Sequence, residues 1–336
     1  MKNDKFTPSS GQSDEWPLVS IGIPVYRSEK YIKRCAESLF NQTYTNIEYV
    51  FVDDTPDDDK TFDILEQFCS QFPQRKIVFV RNGGNKGIGY SRNKILDTAT
   101  GEFLLWVDSD DWLEKDAVEC LVEAQKANNV DIVIGDLQIH YPSKVEYRKH
   151  KDYADNVALT VDMLDLAWQH CKLIRLSLYN DHHIRTTEIN YAEDYQLMSK
   201  VSYWAKGVCN VHKGLYHVNR IGEASASSAG LMDKERRMWQ MKQAEESHNV
   251  AFEFFKDKGQ IYVDAINIAN AKTLYGRVRH KYHATKEDWK EIRNYQKYKK
   301  SSHFNKWQKI FYSMPLRGLL NLYMWLTKIR DRKVAN

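Results

Sequence analysis

Cysteine is sparse, five in 336 residues (Cys35, Cys69, Cys120, Cys171 and Cys209), and no two form a CxxC pair. That excludes a disulfide framework and a thiolate zinc site, and leaves five reduced, structural thiols. Glycine (15) and proline (7) are also few, which excludes collagen-like and low-complexity chains. No apolar run approaches the roughly 20 residues of a membrane span, and the opening MKNDKFTPSSGQSDEWP lacks the apolar centre of a secretory signal. The cytoplasm is the expected location. What is present is 42% hydrophobic and 28% charged, the balance of a folded globular chain. The net charge of +4 hides an asymmetry: residues 231–336 hold 23 Lys and Arg against 11 Asp and Glu, whereas residues 1–230 hold 26 against 34. An acidic body carries a basic end.

After a polar leader (1–17), short apolar runs alternate with amphipathic stretches. Strands are expected at 19–25, 47–52, 77–80, 103–107 and 131–137, and helices near 32–40, 58–72, 87–99 and 114–128. Such alternation predicts an α/β fold, a Rossmann-like and mostly parallel central sheet with helices on both faces. Ligands of these sheets bind beyond the carboxyl ends of the strands. Residues 138–192 mix charge, aromatics and short apolar pieces and are expected to form a variable, substrate-facing segment. From 231 onward helical spacing dominates, which divides the chain into a body at 18–230 and a helical region at 231–336.

The strand ends are acidic: Val52-Asp53-Asp54 closes the second run and Val107-Asp108-Ser109-Asp110-Asp111 the fourth. Like charges held close raise one another's pKa, and a cation or polar ligand is the usual compensation. Capping offers the plainer explanation, since Asp58, Asp110, Asp111 and Glu114 all precede helical stretches. A hard cation such as Mg²⁺ or Mn²⁺, held by one or two carboxylates and completed by a diphosphate, suits the DSDD loop. Pro24-Val25-Tyr26, Asn85-Lys86-Gly87 and Ser91-Arg92-Asn93 supply neighbouring features fit for a nucleotide.

Taken in order, VSIGIPVYRSEKYIKRCAESLFNQTYTNIEYVFVDDTPDD, NKGIGYSRNKILDTATGEFLLWVDSDDWLEKDAVE and the later Ala192-Glu193-Asp194-Tyr195 resemble the family 2 glycosyltransferases of the inverting GT-A type. The resemblance implies an enzyme that moves a hexose from a nucleotide-diphosphate sugar, a UDP-sugar above all, to a saccharide or lipid-linked saccharide in cell-surface polysaccharide assembly. It places Pro24, Tyr26, Asp53, Asp54, Asn85, Gly87 and Arg92 around the nucleoside, and matches Asp108 and Asp110 to the family's DxD, with Ser109 between them. Those aspartates contact the ribose and a bridging Mn²⁺ or Mg²⁺, and Asp111 shares the metal. Asp194 matches the general base, and Arg220, ahead of Ser225-Ala226-Ser227, is expected at the diphosphate. VDDTP stands where VDDGS is usual, so the turn after the second strand is expected to differ.

Other signals carry less. Gly83 to Gly89 and Tyr147-Arg148-Lys149-His150-Lys151 imitate a short-chain dehydrogenase, but the glycines follow the third strand rather than the first and the tyrosine comes too soon. His182-His183 lacks metal-ligand spacing. Trp106 and Trp112 flank the acidic loop, either for stacking on a sugar or base or for core packing. The tail at 303–333 is basic and amphipathic and is divided by Pro315; it suits an inner-face membrane surface or packing on the catalytic domain. Nucleic acid is not an expected partner, because the acidic body repels phosphate. A reading of another class, a non-catalytic protein that binds nucleotide-sugar or glycan at a membrane, is opposed by the full set of Asp54, Asp108, Asp110 and Asp194.

Overall fold

The computed structural model describes residues 16–166, 169–221, 234–281 and 283–335. Most of the leader and the Ser225-Ala226-Ser227 motif lie outside these residues, as does the expected boundary at 230. The first half alternates as expected: β1 (Val19–Val25), α1 (Ile32–Phe40), β2 (Ile47–Asp53), α2 (Thr61–Cys69), β3 (Lys76–Arg81), α3 (Ile88–Thr98) and β4 (Phe103–Trp106). β1, β2 and β4 are buried along their whole length, which is why they read as unbroken apolar runs with no alternation. Gly22 in β1 lets α3 lie close, since a Cβ there would come within 2.4 Å of Ile95.

The chain continues through β5 (Trp112–Leu113), α4 (Ala117–Asn128), β6 (Ile132–Tyr141), β7 (Lys144–Arg148), α5 (Asn156–Leu166), β8 (Lys172–Arg175), α6 (Ser177–Asp181), α7 (Glu193–Trp204) and β9 (Val208–Asn219). The sheet order is β3-β2-β1-β4-β8-β6-β9-β5, with β7 paired to β6. The expected mostly parallel sheet needs correction. It is parallel from β3 through β4, whereas β8 runs antiparallel to both β4 and β6. The cause lies in residues 138–192: a tight β6–β7 hairpin and helix α5 bring the chain back, so four-residue β8 fills the gap between β4 and β6 in reverse.

The rest is helical: α8 (Lys234–Phe255), α9 (Gln260–Lys281), α10 (Lys286–Tyr295), α11 (Lys306–Ser313) and α12 (Arg317–Ala335). Ala251, Phe255, Ile266 and Ala269 join the cluster that covers one face of the sheet, so α8 and the first half of α9 pack on the body. A separate cluster, from Leu274 to Met324, joins the last helices. Pro315 falls between α11 and α12 and breaks the tail as expected. Among the described residues no helix is long and apolar enough to cross a membrane.

Candidate active site

At the carboxyl end of β1 and β2, the residues expected around a nucleoside come together. Asp54 is 4% exposed and spends both oxygens on one loop: Oδ1 accepts from Lys86 N (2.7 Å) and Asn82 Nδ2 (2.9 Å), and Oδ2 from Gly87 N (2.8 Å). Gly87, at φ 98°, starts α3 in a conformation that favours glycine. Asp53 Oδ1 accepts the Thr55 N–H at 3.0 Å as well as its hydroxyl, so the VDDTP turn closes on its own side chains. Pro24 pairs with Val52 in the sheet, and Tyr26 just beyond β1 is 44% exposed, its hydroxyl 3.4 Å from Asn85 Nδ2. Tyr26 is the open wall of this cleft, and Asp54 fixes the loop opposite.

The acidic loop is a tight turn, with Asp111 N donating to Asp108 O at 3.0 Å. It leads into β5 rather than a helix, and α4 starts only at Ala117 with no side-chain cap, so capping does not account for Asp110 or Asp111. Asp108, Asp111 and His170 each present a ligand atom within 4.8 Å of the others, a candidate divalent-cation site with two oxygens and one nitrogen. Asp110 lies outside this triad; its backbone carbonyl accepts from Arg34. Tyr216 joins the pieces: its hydroxyl accepts from Asp108 N (3.1 Å) and donates to Asp111 Oδ2 (2.8 Å), while Asn219 N donates to Asp111 Oδ1 (2.7 Å). Ser109 accepts from the Ser28 hydroxyl at 2.8 Å.

Trp106 turns inward, and Trp112 is half-buried. Trp106 is 1% exposed, and Trp112 lies between the Arg34 guanidinium (3.7 Å) and the parallel ring of His217 (4.9 Å). His217 in turn bridges Glu114 and His140, each at 2.9 Å. His182 stacks on Trp204 at 4.0 Å, away from any metal cluster among the described residues. Tyr147 sits on β7, its hydroxyl given to Asp136, which removes the dehydrogenase reading.

Across the cleft, α7 opens with Glu193 and Asp194. Between the two walls lies Arg92, 5% exposed: Nε donates to Glu193 (2.9 Å), one terminal nitrogen to Gln169 (3.2 Å), and the other lies 3.5 Å from Asp108. The structure therefore commits its guanidinium to carboxylates rather than leaving it open to a base. Burial would lift Asp108, but His170, Arg92 and Arg220 outweigh it and hold Asp108 well below the ordinary carboxylate range. Burial and Asp108 raise Asp110 to about 6, and burial with Asp110 raises Asp111 strongly. Asp194 is pushed up to about 8 by burial and Glu193, against the pull of Arg92. Arg220, just after β9, is close enough to lower both Asp108 and Asp110.

Backbone strain gathers here. Arg27 beside Tyr26, Cys171 beside His170 and Ala192 beside Glu193 are three of the five non-glycine residues at positive φ among the described residues (42°, 54° and 63°). Each adjoins a residue of the candidate site, and such strain persists only where the surroundings enforce it. One face of α8 supports the last of them: Ser247 donates to Ala192 O at 2.6 Å and Gln243 accepts from Asn190 N at 3.0 Å.

Residues 20–202 match the family model described as glycosyl transferase family 2, more than half of the chain. The chain belongs to that family. EpsH of Bacillus subtilis (strain 168) is 29% identical over 216 residues, 60% of this chain and 61% of EpsH, so the match spans less than two thirds of that relative. Two solved structures share the fold. One is S. aureus TarS 1–349 in complex with UDP-GlcNAc (22% identity, TM-score 0.54, 78% of this chain and 82% of that one). The other is the mannosyltransferase PcManGT from Pyrobaculum calidifontis in complex with GDP-Man and Mn²⁺ (14%, TM-score 0.55, 95% and 88%).

Within this family-2 chain three site residues escape a reading of the sequence. His170 follows no ligand spacing, Tyr216 belongs to no motif, and Lys172 falls within the mixed segment 138–192. Lys172 is 1% exposed on β8 beneath His170, and burial lowers its ammonium to about 8. All three arrive through the sheet order, on strands β8 and β9 or just before them, and local pattern carries no trace of that order.

Proposed function

We propose that the chain is an inverting glycosyltransferase that moves a hexose from a nucleotide-diphosphate sugar to a saccharide acceptor in cell-surface polysaccharide assembly. The observation that carries this reading is the pairing of a three-ligand cation site with a raised carboxylate, Asp194, on the facing wall. Asp194 takes the proton from the acceptor hydroxyl as that oxygen attacks the anomeric carbon; a base near working pH is suited to the transfer. A single base opposite the leaving group gives inversion with no covalent intermediate. Asp108, Asp111 and His170 hold the cation, which when bound neutralises charge gathering on the departing diphosphate. An imidazole among the ligands favours Mn²⁺ over Mg²⁺, since Mg²⁺ keeps to oxygen donors.

Tyr26 lines the base pocket with Pro24, Asp53, Asp54, Asn85 and Gly87, Ser109 sets the loop, and Arg220 meets the diphosphate. The UDP-GlcNAc of TarS and the family resemblance favour a UDP-sugar. We assign transfer to residues 18–230 and support to 231–336, and place the protein at the cytoplasmic face of a membrane, where a lipid-linked saccharide is available. Thermal shift against a panel of nucleotide sugars with Mn²⁺ identifies the donor, because a preferred donor stabilises the native state. With that donor, Asp194→Asn is expected to retain binding and lose turnover by about 10²- to 10⁴-fold. Donor binding by the wild type with no turnover of any kind would instead establish a binding protein.

A further inference from the structure

The last helix is apolar on two sides. Leu320 and Met324 point inward at 0% and 1% exposure and pack with Phe311 and Tyr312. Asn321 clamps the helix to the connection between α9 and α10 by accepting from Ala284 N at 2.8 Å. On the other side Leu319, Leu322 and Leu326 recur at spacings of three and four. They are 46%, 52% and 52% exposed, and Trp325 (55%) and Leu316 (63%) widen the strip. Its inward stripe is already satisfied by the neighbouring helices, so packing on the catalytic body, one of the two readings the tail's sequence allowed, is not what covers the outer strip among the described residues.

The surrounding charge says what kind of partner fits. Residues 292–330 hold nine Lys and Arg and not one Asp or Glu. A second copy of this chain would bring the same positive field against it, and a nucleic acid backbone offers nothing in which to bury five large apolar side chains. An anionic lipid surface supplies both terms: an acyl boundary for the leucines and Trp325, and negative headgroups for the basic residues. We propose that α12, with Leu316 ahead of it, is an interfacial helix that seats the protein on anionic lipid, its outer strip in the headgroup boundary and its inner stripe holding the catalytic body at a fixed height. This rests on the membrane-face placement proposed above, but its test is blind to sugar transfer.

The test is co-sedimentation of the full chain with vesicles of phosphatidylcholine alone and with vesicles in which roughly one third is phosphatidylglycerol. Binding to the anionic vesicles is expected to be about tenfold stronger and to weaken as salt rises. The exposed double substitution Leu322→Glu with Trp325→Glu is expected to abolish it with an unchanged melting temperature. Ile261→Glu, an equally exposed apolar site on α9, is expected to leave it intact. Equal or no binding to the two vesicle types overturns the proposal, as does retention by the double variant or a wild-type dimer that the double variant splits. An inactive chain that still sediments removes the transfer reading alone, and an active chain that does not sediment removes this one alone.

Discussion

Two buried carboxylate sites sit at opposite ends of the same sheet and are treated in opposite ways. At the amino edge, Glu48 is 1% exposed and accepts from five donors: the Ser20 hydroxyl, Thr100 N, the Thr100 hydroxyl, Gly101 N and Lys76. Burial pushes Glu48 up, yet these partners outweigh it and hold it at about 2. At the carboxyl edge, Asp110, Asp111 and Asp194 crowd other acids with too few donors, and all three are raised. Where every lone pair is met, the charge serves the fold. Where the charges crowd one another with few donors, the raised carboxylates mark a candidate functional site.

That contrast can be broken by substitution. The largest effect is expected at Arg92, which is buried among the crowded acids. Arg92→Met removes the ion-pair partner of buried Glu193 and one of the cations beside Asp108, and is expected to lower stability by about 3–5 kcal/mol in urea unfolding. Glu48→Gln strands several donors and is expected to lose about 1–3 kcal/mol while donor and Mn²⁺ binding stay unchanged. If binding falls as well, the two edges are not independent. Smaller again, Tyr216→Phe frees Asp111 from its bridge and is expected to weaken Mn²⁺ about tenfold by titration calorimetry, with the fold intact.

The contrast extends to pH dependence, where its sign differs between the edges. Asp194 binds its proton more tightly when folded. Its contribution is therefore complete below the ordinary carboxylate range and is lost as pH rises toward about 8. Glu48 is depressed, so its contribution is present above the ordinary glutamate range and is lost as pH falls toward about 2. Melting curves of the Asp194→Asn variant are expected to show a shallower decline toward pH 8 than the wild type. An unaltered slope would remove Asp194 from the crowded set.

Whereas Asp194 at the head of α7 follows no apolar run and was singled out only by the family resemblance, Asp54 after β2 and Asp108 after β4 were legible because they lie where such runs stop. The parallel half of the sheet was legible for the same reason, since fully buried strands leave unbroken apolar runs. β8 was not, because four residues with a buried lysine carry no periodicity, and its reversal depends on how residues 138–192 fold back. His170 was lost with it. Arg92 was found but expected at the nucleotide, because its burial between two walls is a property of packing that no motif records. The tail's two-sided character was visible as composition, while which side is covered emerged only from the contacts of Leu320 and Met324.

The Arg92 guanidinium has two claimants, one on each bank of the cleft. A guanidinium shared in this way ties the loop after β4 to the head of α7, so a substitution on either bank is felt on the other.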